Sequence, residues 1–183
     1  LSPSSDNTSA TNTNDPTNTC QANSNAGVWY EFTPNTTGSY TISLCQSDAP
    51  LNSISDNVLS VFSSTTGCTG PFTQIACDDD ACTTSGLQAY LTTQLTAGTQ
   101  YYILAYSFST SRGNFQLNVQ LIPTNDDCSG AMDLTPTPGV FTNPGVVSLA
   151  SSTPSTTSAA CVTSPSTQQD IWFKLTSDND GIM

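Results

Sequence analysis

Between Cys77 and Cys82 the chain reads Cys-Asp-Asp-Asp-Ala-Cys, its densest concentration of chemical groups. Three adjacent carboxylates, Asp78, Asp79 and Asp80, repel one another, and a hard cation relieves that repulsion. Ca²⁺ takes roughly 6–8 oxygen ligands from carboxylates, carbonyls and waters. Asp56 opens a neighbouring strand-like run and is expected to contribute from across the sheet edge. Calcium at Asp56, Asp78, Asp79 and Asp80 is therefore the cofactor expectation. The spacing is not that of an EF-hand loop, so the competing expectation is a solvated acidic turn.

The second chemical feature is the set of seven cysteines. Six cysteines allow 15 pairings, and sequence alone does not choose among them. Local order favours Cys68–Cys77, closing a hairpin; Cys45–Cys82 could staple a strand end to the acidic loop. Cys128–Cys161 would tie a later segment to its own Ser/Thr-rich stretch, leaving Cys20 to pair outside the chain. No Cys-x-x-Cys pair occurs, which argues against thiolate ligation of a metal. The sequons Asn7-Thr8-Ser9 and Asn35-Thr36-Thr37 mark Asn7 and Asn35 as acceptors of N-linked sugar. Thr153, Ser155, Thr156 and Thr157, around a proline, suit O-linked sugar. Glu31 is the only glutamate. A pair of catalytic carboxylates built on it is not expected, because Lys174 stands at the matching position of a second, similar segment.

Composition excludes more than it assigns. The chain of 183 residues has 14 acidic residues, two cations (Arg112 and Lys174) and no His, for a net charge of −12. Two cations cannot neutralise a phosphate backbone, so nucleic acid is not an expected partner. Without His there is no Ser-His or Cys-His nucleophile pair, and an enzyme is not expected. No apolar run approaches the ~20 residues that cross a bilayer. Ser and Thr together supply 56 hydroxyls, and apolar residues make up 36 %. A thin core combined with many cysteines suits a secreted, disulfide-supported protein at the cell surface or beyond. No signal peptide is visible, so a mature form or a fragment is expected.

The elements that must carry these groups read as strands. Val28 to Phe32 places Val28, Tyr30 and Phe32 on one face and Trp29 and Glu31 on the other. Gly38 to Cys45, Asn57 to Ser63, Phe72 to Cys77, Leu87 to Leu95, Thr99 to Tyr106 and Asn114 to Leu121 follow, separated by Gly and Pro turns. No useful helical period appears beyond one turn at Cys128 to Leu134. This pattern predicts an all-β fold, an antiparallel β-sandwich of jelly-roll or immunoglobulin-like type.

The stretch Val28-Trp29-Tyr30-Glu31-Phe32 returns as Ile171-Trp172-Phe173-Lys174-Leu175, and Gly38 as Gly181, at a period of about 143 residues. A tandem repeat with six cysteines per period follows. The expected organisation is a Ser/Thr/Asn-rich arm at 1–25 belonging to a unit begun upstream, a β-sandwich body at 26–122, and the start of the next unit at 123–183.

Asn125-Asp126-Asp127-Cys128, the aromatic strand, the Gly-started strand at Gly38, Asp56 before Val58 to Phe62, the Cys68 to Asp80 hairpin and Gly98-Thr99-Gln100-Tyr101-Tyr102 occur in an order that resembles the bacterial pre-peptidase C-terminal domain family. The resemblance implies a β-sandwich used as a non-catalytic accessory or stalk module. The functional expectation is a structural repeat unit of an extracellular, disulfide-stabilised, glycosylated fibre, stalk or adhesin that self-associates with neighbouring repeats or subunits. The alternative is a carbohydrate- or protein-binding accessory module of a secreted hydrolase.

Overall fold

Strands form where apolar and hydroxyl residues alternate, and Gly or Pro ends them. A computed structural model describes residues 5–83, 86–133 and 171–174. Thr153, Ser155, Thr156, Thr157 and Cys161 lie outside the described residues. The chain divides into two units, Leu1–Gln120 and Leu121–Met183.

The first unit contains β1 (Ser5–Asp6), β2 (Ser24–Phe32), β3 (Gly38–Ser43), β4 (Asn57–Ser64), β5 (Phe72–Asp78), β6 (Tyr90–Leu95), β7 (Tyr101–Phe108), β8 (Asn114–Phe115) and β9 (Asn118–Leu121). One sheet has the order β2-β7-β4-β5, a second the order β6-β3-β9, and β1 pairs with β8. The fold is all-β, as the alternation predicts. The expected single strand from Asn114 to Leu121 is instead two short strands in different sheets. Gln116 and Leu117 turn the corner between them, both buried.

β4 and β7 lie inside their sheet and are buried on both faces, which is why their sequences are nearly continuous apolar runs. On the inner face Leu59 opposes Ala105 and Val61 opposes Ile103. These belong to the same buried core as Ile42, Leu91 and Leu95 of the other sheet. On the outer face Val58 opposes Tyr106, Ser60 opposes Leu104 and Phe62 opposes Tyr102. These apolar residues, except for Ser60, form a cluster with Phe72 and Cys77 packed against it. Each large side chain so buried contributes about 1.5–3 kcal/mol.

Part of that outer face is covered by the hydroxyl-rich arm, which corrects the expectation that residues 1–25 belong to a unit begun upstream. Tyr106 Oη donates to the Pro16 carbonyl at 2.9 Å, and Trp29 Nε1 donates to Asp15 Oδ1 at 3.0 Å. Thr19 and Gln74 exchange two hydrogen bonds, at 3.1 and 2.6 Å. Gly27 permits the close passage: a Cβ there would lie 2.7 Å from Leu104 Cδ1 and 2.9 Å from Asp15 Oδ2. An arm this polar is held by bonds to the sheet rather than by its own packing.

Two further expectations are corrected in the same region. Cys77 is bonded to Cys20, with Cα atoms 6.0 Å apart, and not to Cys68. Cys20 therefore finds its partner within the chain, because the arm returns across β5. Cys68 is a free, exposed thiol. Cys45 is bonded to Cys82, Cα–Cα 5.7 Å, the pair expected from sequence. Asn7 is fully buried, so the sequon there is closed to sugar in the folded protein; Asn35 is exposed in the turn before β3.

In the second unit β10 (Met132–Asp133) pairs in parallel with β11 (Phe173–Lys174). The single helical turn expected near Cys128 is a short 3₁₀ turn, Cys128–Gly130. Cys128 is exposed and free of any disulfide among the described residues; its expected partner lies outside them.

Candidate functional site

The outer face of the β2-β7-β4-β5 sheet is not wholly covered. Beyond the arm it carries a cavity of about 420 Å³ lined by Trp29, Glu31, Cys68, Phe72 and Tyr102. Trp29 and Glu31 share this face because they are two residues apart on β2. Tyr102 lies opposite Glu31 on β7. Phe72 opens β5, and Cys68 sits in the 3₁₀ turn Gly67–Thr69 just before it.

The walls are aromatic. Trp29 and Phe72 stack with centroids 5.0 Å apart and 29° between their planes. Phe72 meets Tyr102 edge-on at 5.6 Å and 75°. Trp29 remains 36 % exposed, although its indole N–H is anchored by Asp15. Offset stacking of this kind rigidifies a flat apolar surface. The polar groups are few: the Glu31 carboxylate, the Tyr102 hydroxyl donating to Gln100 Oε1 at 3.1 Å, and the Cys68 thiol donating to Glu31 Oε1 at 3.1 Å. That hydrogen bond to Glu31 is the main cause pushing the Cys68 thiol pKa up. A protonated thiol is a poor nucleophile. The arrangement suits binding of an amphipathic ligand rather than covalent chemistry.

The sequence placed Trp29 and Glu31 on one face of their strand and gave Glu31 no catalytic partner. What it missed is Phe72, Tyr102 and Cys68, which come from distant segments. The local signal available was only the alternation that puts Trp29 and Glu31 on one face.

The acidic loop forms a separate cluster. Asp56, Asp79 and Asp80 bring carboxylate oxygens within 4.8 Å of one another. Asp78, the fourth residue of the expected calcium set, has its Oδ2 engaged as a local cap. That oxygen accepts from the Ala81 N–H at 3.1 Å and the Tyr90 N–H at 2.9 Å. Asp79 Oδ2 accepts from Gln21 Nε2 at 2.7 Å, and its Oδ1 is buried with no partner.

Burial raises the pKa of Asp56, and the charges of Asp79 and Asp80 raise it further. Burial also raises Asp79, opposed by its Gln21 bond, and raises Asp15, opposed by its Trp29 bond. A carboxyl with a raised folded-state pKa contributes stability that is complete below its unfolded value, near 3.9. That contribution is lost as pH rises through the folded value. Asp6 is shifted the other way by its hydrogen bonds to Thr8, so its contribution disappears as pH falls through its lowered folded value. In metal-free buffer the melting temperature is therefore expected to rise as pH falls from neutrality toward about 4.5. Calorimetry across that range checks this, and a melt that falls steadily with acidification contradicts it.

Residues 2–119 match the family model described as galactose-binding-domain-like and T9SS-associated, and the chain belongs to that family. No curated protein and no solved structure matches the chain significantly. The likeness to the pre-peptidase C-terminal family thus holds at the level of a β-sandwich surface domain, and the matching family is the galactose-binding-like one. The match includes the arm. Membership of a T9SS-associated family and two disulfides point to an extracellular or cell-surface accessory domain. Among the described residues no helix is long and apolar enough to cross a membrane.

Proposed function

We propose that the first unit is a non-catalytic carbohydrate-binding accessory module of a cell-surface or secreted protein. The observation that carries this reading is the half-exposed Trp29 stacked on Phe72 beside the Glu31 carboxylate. The apolar C–H face of a sugar packs on such a platform, while a carboxylate accepts its hydroxyl protons. The match to a galactose-binding-like family supports the same reading. In a glycan array followed by titration calorimetry, Trp29→Ala is expected to weaken binding by about tenfold or more, equivalent to ~1.4 kcal/mol. Trp29 also stacks on Phe72 and bonds Asp15, so the variant is melted alongside and the affinities are compared at a temperature where both proteins are folded. If the unaltered protein retains no glycan on the array, the reading fails.

The sequence repeat supports a second role alongside it, as a structural unit of a fibre, stalk or adhesin. Electron micrographs showing filaments with one domain per axial step favour that role; dispersed monomers remove it. Asn35, exposed in its turn, is the proposed N-linked site.

Calcium is proposed at Asp56, Asp79 and Asp80, supported by the buried, unpartnered Asp79 oxygen. Ca²⁺ would replace the mutual repulsion of these carboxylates with attraction. In the pH series above, Ca²⁺ should raise the neutral-pH melt by several degrees and flatten the slope, and EGTA should reverse both. A melt indifferent to both reagents removes the proposal.

A further inference from the structure

The two copies of the Trp-bearing strand are paired differently. In the second unit Met132 lies opposite Phe173 and Asp133 opposite Lys174, in parallel. Asn125 secures the arrangement: its carbonyl accepts from Trp172 N at 2.8 Å, and its Nδ2 donates to the Trp172 carbonyl at 3.0 Å. Met132 N donates to that same carbonyl at 3.1 Å. The segment beginning Asn125-Asp126-Asp127 thus supplies a strand neighbour to the Trp-bearing strand.

In the first unit the matching residues Val28 to Phe32 lie in β2, at the end of the order β2-β7-β4-β5. Among the described residues their ladder runs to β7 alone. A sheet edge with unpaired backbone groups is a template for another strand. The charge at the register position is reversed between the copies. Lys174 Nζ lies 3.1 Å from Asp133 Oδ2, whereas β2 has Glu31 at that place. Like charges directly opposite in a sheet are destabilising.

We propose that the free edge of β2 accepts, in parallel register, an Asn-Asp-Asp-type segment carrying Lys or Arg opposite Glu31. The segment comes from a unit of the same kind but different sequence. The 125–133 segment of a second copy of this chain is turned away, because its Asp133 would face Glu31. The Glu31/Lys174 reversal then acts as a pairing code that decides which segment each Trp-bearing strand takes. The inference shares Glu31 with the aromatic cavity, but its test reads strand pairing and needs no ligand in that cavity.

The test places residues 125–143 of this chain as a prefix ahead of Leu1, restoring the sequence period, with Cys128→Ser in the prefix. Two versions are compared, one keeping the prefix Asp133 and one carrying Asp133→Lys. At low salt the Lys version is expected to melt about 3–5 °C higher, and the amides of Trp29 and Glu31, which point away from β7, to exchange about tenfold more slowly. Introducing Glu31→Lys in the body should invert the order. Because the two prefixes are compared within each background, any cost of Glu31→Lys to the fold cancels. Equal melts and equal exchange for both prefixes overturn the proposal. Equal protection by both prefixes overturns the charge rule, even if pairing occurs.

Discussion

Replacing Cys20 and Cys77 together by Ser is expected to lower the melting temperature by about 10–20 °C. The bridge closes a loop of 57 residues, and loop-closure entropy of that length corresponds to about 4 kcal/mol. A domain of this size loses about 3–5 °C per kcal/mol. The bridge also holds the arm against the outer face of the sheet, near Phe72 and the buried cluster of Val58, Phe62, Tyr102, Leu104 and Tyr106. The variant should therefore become sensitive to limited proteolysis within residues 8–22 and show altered Trp29 fluorescence. Removing Cys45–Cys82 instead, a separation of 37 residues, should cost a similar amount in the melt and leave the arm resistant. Non-reducing peptide maps give the sharpest check. Recovery of Cys68 joined to Cys77, or an unchanged melt after the double substitution, contradicts the placement of the arm.

The second large effect is expected at Asn7. Its side chain is fully buried and joins three segments. Nδ2 donates to the Ala26 carbonyl at 3.2 Å and to Ser107 Oγ at 2.5 Å. Oδ1 accepts from Gly113 N at 2.8 Å, and the Asn7 backbone N–H donates to the Gly113 carbonyl at 3.0 Å. Asn7→Ala removes the side-chain bonds and strands a buried N–H and carbonyl. A stranded buried polar group costs about 1–3 kcal/mol, so a loss of about 3 kcal/mol is expected. Asn7→Asp should be no milder, because a carboxylate cannot donate to Ala26 or Ser107 and would be buried beside an acceptor. Chemical denaturation with an unchanged slope checks both variants. Mass spectrometry showing sugar on Asn7 of the folded protein would contradict this packing outright.

Asn7 also shows where local patterns mislead. Asn-x-Ser is a three-residue signal, and it says nothing about a segment more than 100 residues away. Cys77 teaches the same lesson. Pairing by proximity favours Cys68, but the entropy of closing a loop grows only with the logarithm of its length. A longer loop to Cys20 therefore costs little more in entropy, and the bonds of the arm's Asp15, Pro16 and Thr19 to Trp29, Tyr106 and Gln74 decide the outcome. The Asp78 carboxylate, grouped by sequence with its two neighbours, instead caps a turn by accepting the Ala81 and Tyr90 amides.

By itself the sequence determined the all-β class, the approximate strand positions and the two faces of β2. These follow from a period of two in side-chain direction and from turn residues, which act over a few positions. Only the tertiary structure decided that the arm is a layer of its own unit, which cysteine Cys77 takes, and that Trp29, Phe72, Tyr102, Glu31 and Cys68 share one cavity. Those outcomes depend on which distant strands become neighbours. Strand order is set by burying β4 and β7 on both faces at once, a global requirement that no short stretch of residues contains.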